Sequence, residues 1–407
     1  MSSIAQPVPQ SASWKSHWKL SLPVIAQIAF VIFLVSGDIK GDPRLAWLPF
    51  DLTIVTGALT TALALTVMLR RKLARESLFW MAALFLVMAL SLLWSPGTEY
   101  GVDKAARFFS LTLICAFAPA VLIRRPADLS RMFDALALFG FIAAADAILQ
   151  MLTNAGHLIR VASGSGNTIS LARDVGVSLL WAYSAFFRSG ARKIVICVAC
   201  VPLVLVLIAT GSRGPLAFAI LLLAFLTVRF SLASTKTVAL SLAMFLGAIL
   251  ATTQLISLLP SQSVNRILAL VQQQQDASTS ERVYAADAAL GQIPDHPLGT
   301  GFGGFAYATT NSAIDQPHNI FLEIALENGW LAAFLFTLIC GFSLTRSYRL
   351  ARTRQAVYLF PVLAFAIGNA AVSGGLNDNR LMFCLLCVGL QAKSLYQPDH
   401  CLEGATA

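Results

Sequence analysis

Charged residues are scarce in this chain of 407 residues: they make up 12% of it, whereas hydrophobic residues make up 57%. Soluble domains contain about a quarter charged residues, because their surfaces must be hydrated. The low charge and the mean hydropathy of +0.73 therefore exclude an ordinary soluble domain. We predict an all-α integral membrane protein that forms a single polytopic membrane domain over residues 1–407.

The sequence also lacks cysteines in hydrophilic loops, internal repeats, and basic stretches rich in aromatic residues. All seven cysteines except Cys401 lie inside apolar segments, so we expect no disulfide framework. No period of solenoid length is present. The net charge of +9 lies in short clusters rather than in a basic and aromatic stretch, which argues against nucleic acid as a partner.

Apolar runs long enough to cross a bilayer, which takes about 20 residues each, recur from Leu20 almost to the C-terminus. They predict about twelve transmembrane helices, with limits near 20–36, 46–69, 77–95, 105–123, 131–152, 171–187, 191–209, 214–230, 236–258, 319–344, 355–373 and 378–395. Most Lys and Arg residues fall between the runs on one side. By the positive-inside rule, both termini are then cytoplasmic.

One connection is long: residues 260–317, between predicted transmembrane helices nine and ten, face the periplasmic side in this topology. Loops of this length are usually functional or disordered. Ser278-Thr-Ser-Glu281 has the pattern of a capping box, and Arg282 to Leu290 has that of a short amphipathic helix. The loop is therefore expected to be partly helical and functional.

The loop contains the glycine-rich stretch His296-Pro-Leu-Gly-Thr-Gly-Phe-Gly-Gly-Phe305. Gly301, Gly303 and Gly304 indicate backbone that is held close to a ligand or folded into a tight turn at the membrane surface. The tight turn is the simpler interpretation. Neither a preceding strand nor a Gly-Lys-Ser/Thr ending is present, so the stretch is not a dinucleotide or P-loop fingerprint.

His318 follows Pro317 at the outward mouth of the next predicted helix, which Asn319 is expected to cap. An unperturbed histidine pKa of about 6.5 suits removal of a proton from a hydroxyl near neutral pH. A polar residue at a helix end, without a catalytic role, is the alternative. The position at the end of the long loop favours a general base.

Glu323 and Glu327 follow on one helical face and continue a polar stripe that starts at Asn319. Carboxylates at membrane depth are costly, so each should face protein, water or a cation. Alternatively, this part of the helix lies along the interface and the crossing begins at Gly329. The sequence leaves both possibilities open.

The short turn Thr210-Gly-Ser-Arg-Gly-Pro215 places Arg213 on the outward side. A guanidinium binds phosphate oxygens in a planar fork and keeps its charge, so Arg213 is a candidate ligand for a diphosphate. Snorkelling to lipid headgroups is the alternative. Further outward arginines predict a larger cationic cavity: Arg160, Arg173, Arg266 and Arg282.

Together these motifs resemble the O-antigen ligase and polymerase family of bacterial envelope glycan enzymes. The resemblance rests on Gly-Ser-Arg-Gly at 211–214, on Arg282 ahead of the glycine-rich stretch, and on His318-Asn319 followed by Gly329. It implies a multi-pass protein of the bacterial inner membrane that uses an undecaprenyl-diphosphate-linked glycan in the periplasm. It also implies functional roles for His318, Arg213 and Arg282.

We therefore expect an inverting glycosyltransferase in which Arg213 and Arg282 bind the donor diphosphate and His318 is the base. Glu323 or Glu327 would orient neighbouring cations, and the glycine-rich turn would let sugars approach the backbone. No acidic or histidine cluster has metal-ligand spacing, so neither metal nor cofactor is expected. Membrane lipids are the remaining expected partners.

The acceptor distinguishes the possible members of this class. A ligase transfers the glycan to lipid A core, which we prefer; a polymerase transfers it to a second lipid-linked glycan, and a third type transfers it to protein. A secondary transporter is the alternative from another class. The two halves show no matching pattern, and the midpoint connection is short, which argues against a transporter.

The predicted topology can be tested with single cysteines in a cysteine-free background. A cysteine placed in the 260–317 loop should react with a membrane-impermeant maleimide in intact spheroplasts, because the loop is predicted to be periplasmic. A cysteine next to Arg352, predicted to be cytoplasmic, is the control. Equal protection of the two positions would contradict the topology.

Overall fold

A computed structural model describes residues 20–154, 161–162, 166–185, 187, 193–231, 239, 243, 246–247, 250, 262–263, 277–309, 314–352 and 356–396. Within these ranges the regular structure is entirely helical, and no strand occurs. The all-α class predicted from the sequence is therefore confirmed. Most of the predicted span over 236–258 and part of the 260–317 loop lie outside the described residues.

The α-helices are numbered in chain order. They are α1 (Leu22–Ile39), α2 (Leu52–Met68), α3 (Arg75–Leu90), α4 (Glu99–Arg107), α5 (Leu113–Phe117), α6 (Pro119–Leu122), α7 (Pro126–Thr153), α8 (Thr168–Ala185), α9 (Lys193–Ala209), α10 (Arg213–Ser231), α11 (Ala277–Gln292), α12 (Gly304–Ala308), α13 (Ile320–Arg352), α14 (Leu359–Ala370), α15 (Arg380–Leu390) and α16 (Ala392–Tyr396).

Five helical stretches in the described part of the chain are long and apolar enough to cross a membrane. They are Leu22–Ile39, Arg75–Trp94, Glu99–Leu122, Pro126–Thr153 and Ile320–Arg352. Each corresponds to one of the predicted spans, as expected for an all-α membrane protein. The total of twelve spans stays a prediction.

Aromatic side chains join the central helices of the bundle. The Phe85 ring of α3 stacks on Phe108 with centroids 4.8 Å apart, and Phe383 of α15 meets these rings at 6.1 and 5.8 Å. All three are buried. Phe108 begins a π-helical segment, Phe108–Thr112, that continues α4. Ring packing of this kind fixes neighbouring helices relative to one another.

The predicted amphipathic helix of the long loop is present as α11. The described helix begins at Ala277, so Ser278 lies inside its first turn rather than at the cap position that the capping-box pattern assigns to it. Asn319 caps α13 as predicted: its side-chain oxygen accepts hydrogen bonds from the N–H groups of Phe321 and Leu322 at 2.9 and 3.3 Å.

Helix α13 is broken at Gly329, whose φ and ψ are 87° and 173°. The glycine-rich stretch packs against this break. The N–H groups of Thr300 and Gly301 donate to the carbonyls of Leu326 and Glu327, both at 2.8 Å. These bonds satisfy carbonyls that the interrupted helix leaves without helical partners. The part of α13 before the break is thus a separate short helix held by the loop.

We expect Gly329→Ala to destabilise the protein. A Cβ at this position would lie 2.6 Å from the Leu298 carbonyl carbon, and the backbone conformation is one that only glycine adopts without strain of about 1–3 kcal/mol. Gly341→Ala is the matched control on the same helix, because a Cβ there would meet no described atom within 4 Å beyond its own helix backbone. Thermal melting in detergent should show a lower Tm for Gly329→Ala alone, and equal Tm values would contradict the assignment.

Candidate functional site

A cavity of about 150 Å³ lies where α8, α10 and α11 begin and where the chain between α14 and α15 passes. Most of its lining is polar or backbone. The lining residues are Ile169, Gly211, Ser212, Arg213, Gly214, Pro215, Ser278, Thr279, Arg282 and Ser373. The cavity thus contains both arginines that the sequence predicts as diphosphate ligands.

Arg213 and Arg282 reach the cavity from different helices. Arg213 Nη1 donates to Thr279 Oγ1 at 3.2 Å, which ties the first turn of α10 to that of α11. Arg282 Nη1 donates to the Val372 carbonyl at 3.3 Å. Two guanidinium groups on one small cavity create a site that favours an anion with several oxygens.

The helix ends at the cavity add to this preference for anions. Helix α10 starts at Arg213 and α8 at Thr168, and both present their N-terminal turns to the cavity. The N-terminal end of a helix carries a partial positive charge and unbonded N–H groups. Hydroxyl groups of Ser278 and Thr279 supply further hydrogen-bond donors around it, whereas the Ser212 hydroxyl donates to the Thr168 carbonyl at 3.2 Å.

His318 is half-buried and does not line the cavity, but the charge of Arg282 reaches it. Its backbone has a φ of 55°, which is uncommon for a residue other than glycine and marks a constrained position. Burial lowers the pKa of His318, and the charge of Arg282 lowers it further, whereas Glu281 and Asp378 oppose the effect. The imidazole is therefore neutral at pH 7 and able to accept a proton.

The two glutamates of the polar stripe are buried inside the protein and do not line the cavity. Glu323 and Glu327 are fully buried, and both contact the ammonium group of Lys104 on α4, at 2.6 and 2.7 Å. The sequence alone did not single out Lys104 as part of the site. The long separation in sequence leaves no local signal for this pairing.

Two glycines of the long loop approach the backbone of the α3–α4 connection and of the first turn of α4. A Cβ on Gly303 would lie 2.6 Å from the Gly101 Cα, and one on Gly301 would overlap Ser95. The Phe302 N–H donates to Ser95 Oγ at 2.8 Å. The close approach seen here is thus to the protein's own backbone. A role of Gly301, Gly303 and Gly304 in admitting sugars stays a prediction.

A second element that sequence reasoning missed is the segment 372–379, between α14 and α15. Besides the Val372 carbonyl, which binds Arg282, it offers the carbonyls of Ser373 and Asp378 to the Arg173 guanidinium at 2.7 and 3.1 Å. Its only sequence signal is a run of Gly, Asn and Asp between two apolar spans. This segment supports two arginines at once.

Arg173 consequently lies beside the cavity but is not among its lining residues. Arg160 and Arg266, also predicted for a cationic cavity, fall outside the described residues. In the part of the chain that the structure describes, no group of three or more His, Cys, Asp or Glu side chains has the arrangement of a metal site.

A cavity lined by two arginines, in an all-α membrane protein, is suited to an anionic ligand. Residues 198–337 match the family model described as O-antigen ligase, which confirms the resemblance to that family. The matched range contains Arg213, Arg282 and His318. The family is a class of glycosyltransferase-like enzymes whose partners are lipid-linked glycans and membrane lipids. No curated protein matches the chain.

The lowered pKa of His318 gives a prediction for pH dependence. A base must be unprotonated to act, and its folded pKa is below the usual 6.5, so the rate should fall only as the pH drops below that value. The pH profile of kcat/KM for glycan transfer measures this, because it reports the pKa of the base in the free protein. An acid limb centred above pH 6.5 would contradict the assignment of His318 as the base.

Proposed function

We propose that this protein is an O-antigen ligase-like glycosyltransferase. It moves a glycan from undecaprenyl diphosphate to a hydroxyl of lipid A core at the periplasmic face of the bacterial inner membrane. The observation that supports this most directly is the cavity lined by both Arg213 and Arg282, with His318 next to Arg282. The family match over residues 198–337 supports the class of reaction.

The donor would bind through its diphosphate. Arg213 and Arg282 neutralise its charge, and the start of α10 supplies a favourable helix end. When the bond between the anomeric carbon and the phosphate oxygen breaks, negative charge grows on the leaving diphosphate. Groups already fixed at that place stabilise the developing charge without rearrangement, which favours the transition state over the bound donor.

The acceptor hydroxyl would approach the opposite face of the anomeric carbon. His318 accepts the hydroxyl proton while the acceptor oxygen forms the new bond to that carbon. Because attack and departure occur in one displacement, the configuration at the anomeric carbon inverts. The charge on the leaving group is held by arginines, so the proposed mechanism uses no metal ion.

Arg213→Lys should impair the enzyme even though it keeps the charge, because an ammonium cannot bind phosphate oxygens in a planar fork. Loss of a charge-assisted contact costs about 1.5–3 kcal/mol, or roughly ten- to a hundredfold in donor affinity. Arg349→Lys, on the exposed last turn of α13, is the control and should bind donor normally. If Arg213→Lys binds the donor with parental affinity, Arg213 is not a diphosphate ligand, and the alternative that it interacts with lipid headgroups is favoured.

His318→Ala should lower the transfer rate by about 10²–10⁴-fold, the usual contribution of a general base, while the protein stays folded and inserted. His296→Ala is the matched control. This histidine is exposed in the same loop, and its ring forms a hydrogen bond with the Gln292 carbonyl. Parental rates in purified His318→Ala, or activity that vanishes with EDTA and returns with a divalent ion, would refute the mechanism.

The acceptor is tested by reconstitution with a defined lipid-linked donor and separate candidate acceptors. A ligase transfers glycan to lipid A core, whereas a polymerase lengthens a second lipid-linked glycan. A deletion strain gives the matching result in cells: unattached lipid-linked polymer accumulates without a ligase, and single repeat units accumulate without a polymerase. Accumulation of single repeats would replace the ligase proposal by the polymerase alternative.

A further inference from the structure

An ion cluster of Lys104, Glu323 and Glu327 lies beside the candidate site. The Lys104 ammonium is 2.6 Å from Glu323 Oε1 and 2.7 Å from Glu327 Oε2, and the three side chains are 4%, 0% and 0% exposed. Lys104 lies outside the range that matches the O-antigen ligase family. The cluster takes no part in the mechanism described so far.

The ion cluster ties three segments of the chain together at one point. Its lysine belongs to α4 and its glutamates to α13. The second oxygen of Glu323 accepts a hydrogen bond from the Leu376 N–H at 3.1 Å, and the Asn377 amide donates to the Lys104 carbonyl at 3.0 Å. Segment 372–379 is thus fastened to both helices.

Two of these segments support groups that act in the proposed reaction. The Glu323 N–H donates to the Asn319 carbonyl at 2.9 Å, so Glu323 lies in the helical turn that follows His318 directly. Segment 372–379 provides the carbonyl that binds Arg282. A shift of the ion cluster would therefore move the base and the support of a diphosphate ligand together.

Stability alone does not account for charges at this place. Burying three ionised groups is expensive, and well-packed apolar residues of similar volume often give equal or greater stability. Charged groups instead fix the local geometry, because short contacts to a lysine hold the carboxylates at set distances. Helix α4 also runs directly into the π-helical segment Phe108–Thr112, a geometry that is frequent near functional sites.

We propose that Lys104 is a positioning residue of this transferase: it holds Glu323 and segment 372–379 and, through them, sets the place of His318 against the acceptor hydroxyl. The inference rests on the proposed function, since it adds a residue to the same reaction. Lys104 touches neither donor nor acceptor. Small displacements of catalytic groups are costly, and an error of about 1 Å can reduce the rate by roughly a hundredfold.

The first test needs no substrate. Amide hydrogen exchange of the full-length protein in nanodiscs is compared between the parent and Lys104→Met. We expect exchange in peptides covering 316–324 and 372–379 to rise about tenfold or more, because both segments lose their anchor, while peptides of α7 stay unchanged. Since Lys104→Met leaves two buried carboxylates unpaired, Lys104→Met/Glu327→Gln is made as well; it restores the net charge and still releases Glu323.

Arg71→Met is the control for loss of an ion pair to a buried carboxylate. Arg71 contacts the buried Asp128 at 3.2 Å, and Asp128 keeps Arg131 as a second cation. This cluster has no contact with the candidate site among described residues. Exchange in 316–324 and 372–379 should stay at the parental level in this variant. A rise there equal to that of Lys104→Met would mean that any lost ion pair loosens the protein, and would overturn the proposal.

The second test measures transfer. In the double variant kcat should fall about ten- to a hundredfold while exchange in the α7 peptides stays parental, so that the loss is not one of global folding. The acid limb of the kcat/KM profile should move to higher pH, because a displaced His318 loses its burial and the nearby charge of Arg282, which both lower its pKa. Glu281 and Asp378 act in the other direction. A purely structural role would leave this limb in place.

The possible failures can be told apart. Parental exchange in both segments overturns the proposal, whatever the activity. Raised exchange with parental kcat and an unmoved acid limb also overturns it, because Lys104 would then hold the segments without any effect on the reaction. Full activity of His318→Ala would instead refute the proposed function, and the exchange comparison would still decide whether Lys104 anchors the two segments.

Discussion

Ionised groups inside an apolar helix bundle must be neutralised by close partners, because the low-dielectric interior penalises an isolated charge by several kcal/mol. This requirement explains why charged side chains of distant helices meet next to the cavity. Lys104 lies between Glu323 and Glu327, and Arg173 is held by carbonyls of segment 372–379. The pairings bring α4, α8, α13 and segment 372–379 to one end of the bundle, where Arg213, Arg282 and His318 are found.

Backbone geometry contributes as much as charge. The break of α13 at Gly329 exposes carbonyl groups, and the glycine-rich stretch satisfies them with its own N–H groups. Only residues without a Cβ allow two backbones to approach so closely. The same stretch also binds Ser95 after α3, so one loop connects the broken helix with the region that leads to Lys104. The helix break at Gly329 and the glycines of the loop therefore support the site without contributing reactive groups.

The sequence was sufficient for the helical class and for three residues that share the cavity region. Arg213, Arg282 and His318 stand in short motifs whose chemistry can be recognised locally, and apolar runs reveal helices by their length alone. Lys104 and segment 372–379 could not be found in this way. Their roles depend on contacts between residues far apart in the chain, 273 positions for Asn377 and Lys104 and 90 for Arg282 and Val372. Pairing partners in helix bundles follow from packing rather than from local pattern. The contact between the glycine-rich stretch and the helix break at Gly329 could not be predicted either, because nothing in the local sequence pairs the two.

The central claim is that the cavity between Arg213 and Arg282 holds the diphosphate of a lipid-linked donor. The most direct measurement is a cryo-electron microscopy structure of the full-length protein in nanodiscs with a non-transferable lipid-diphosphate glycan. The account predicts diphosphate density in contact with both guanidinium groups and the sugar's anomeric carbon within reach of His318. Well-defined donor density at another place, with both arginines still bonded as in the free protein, would contradict it.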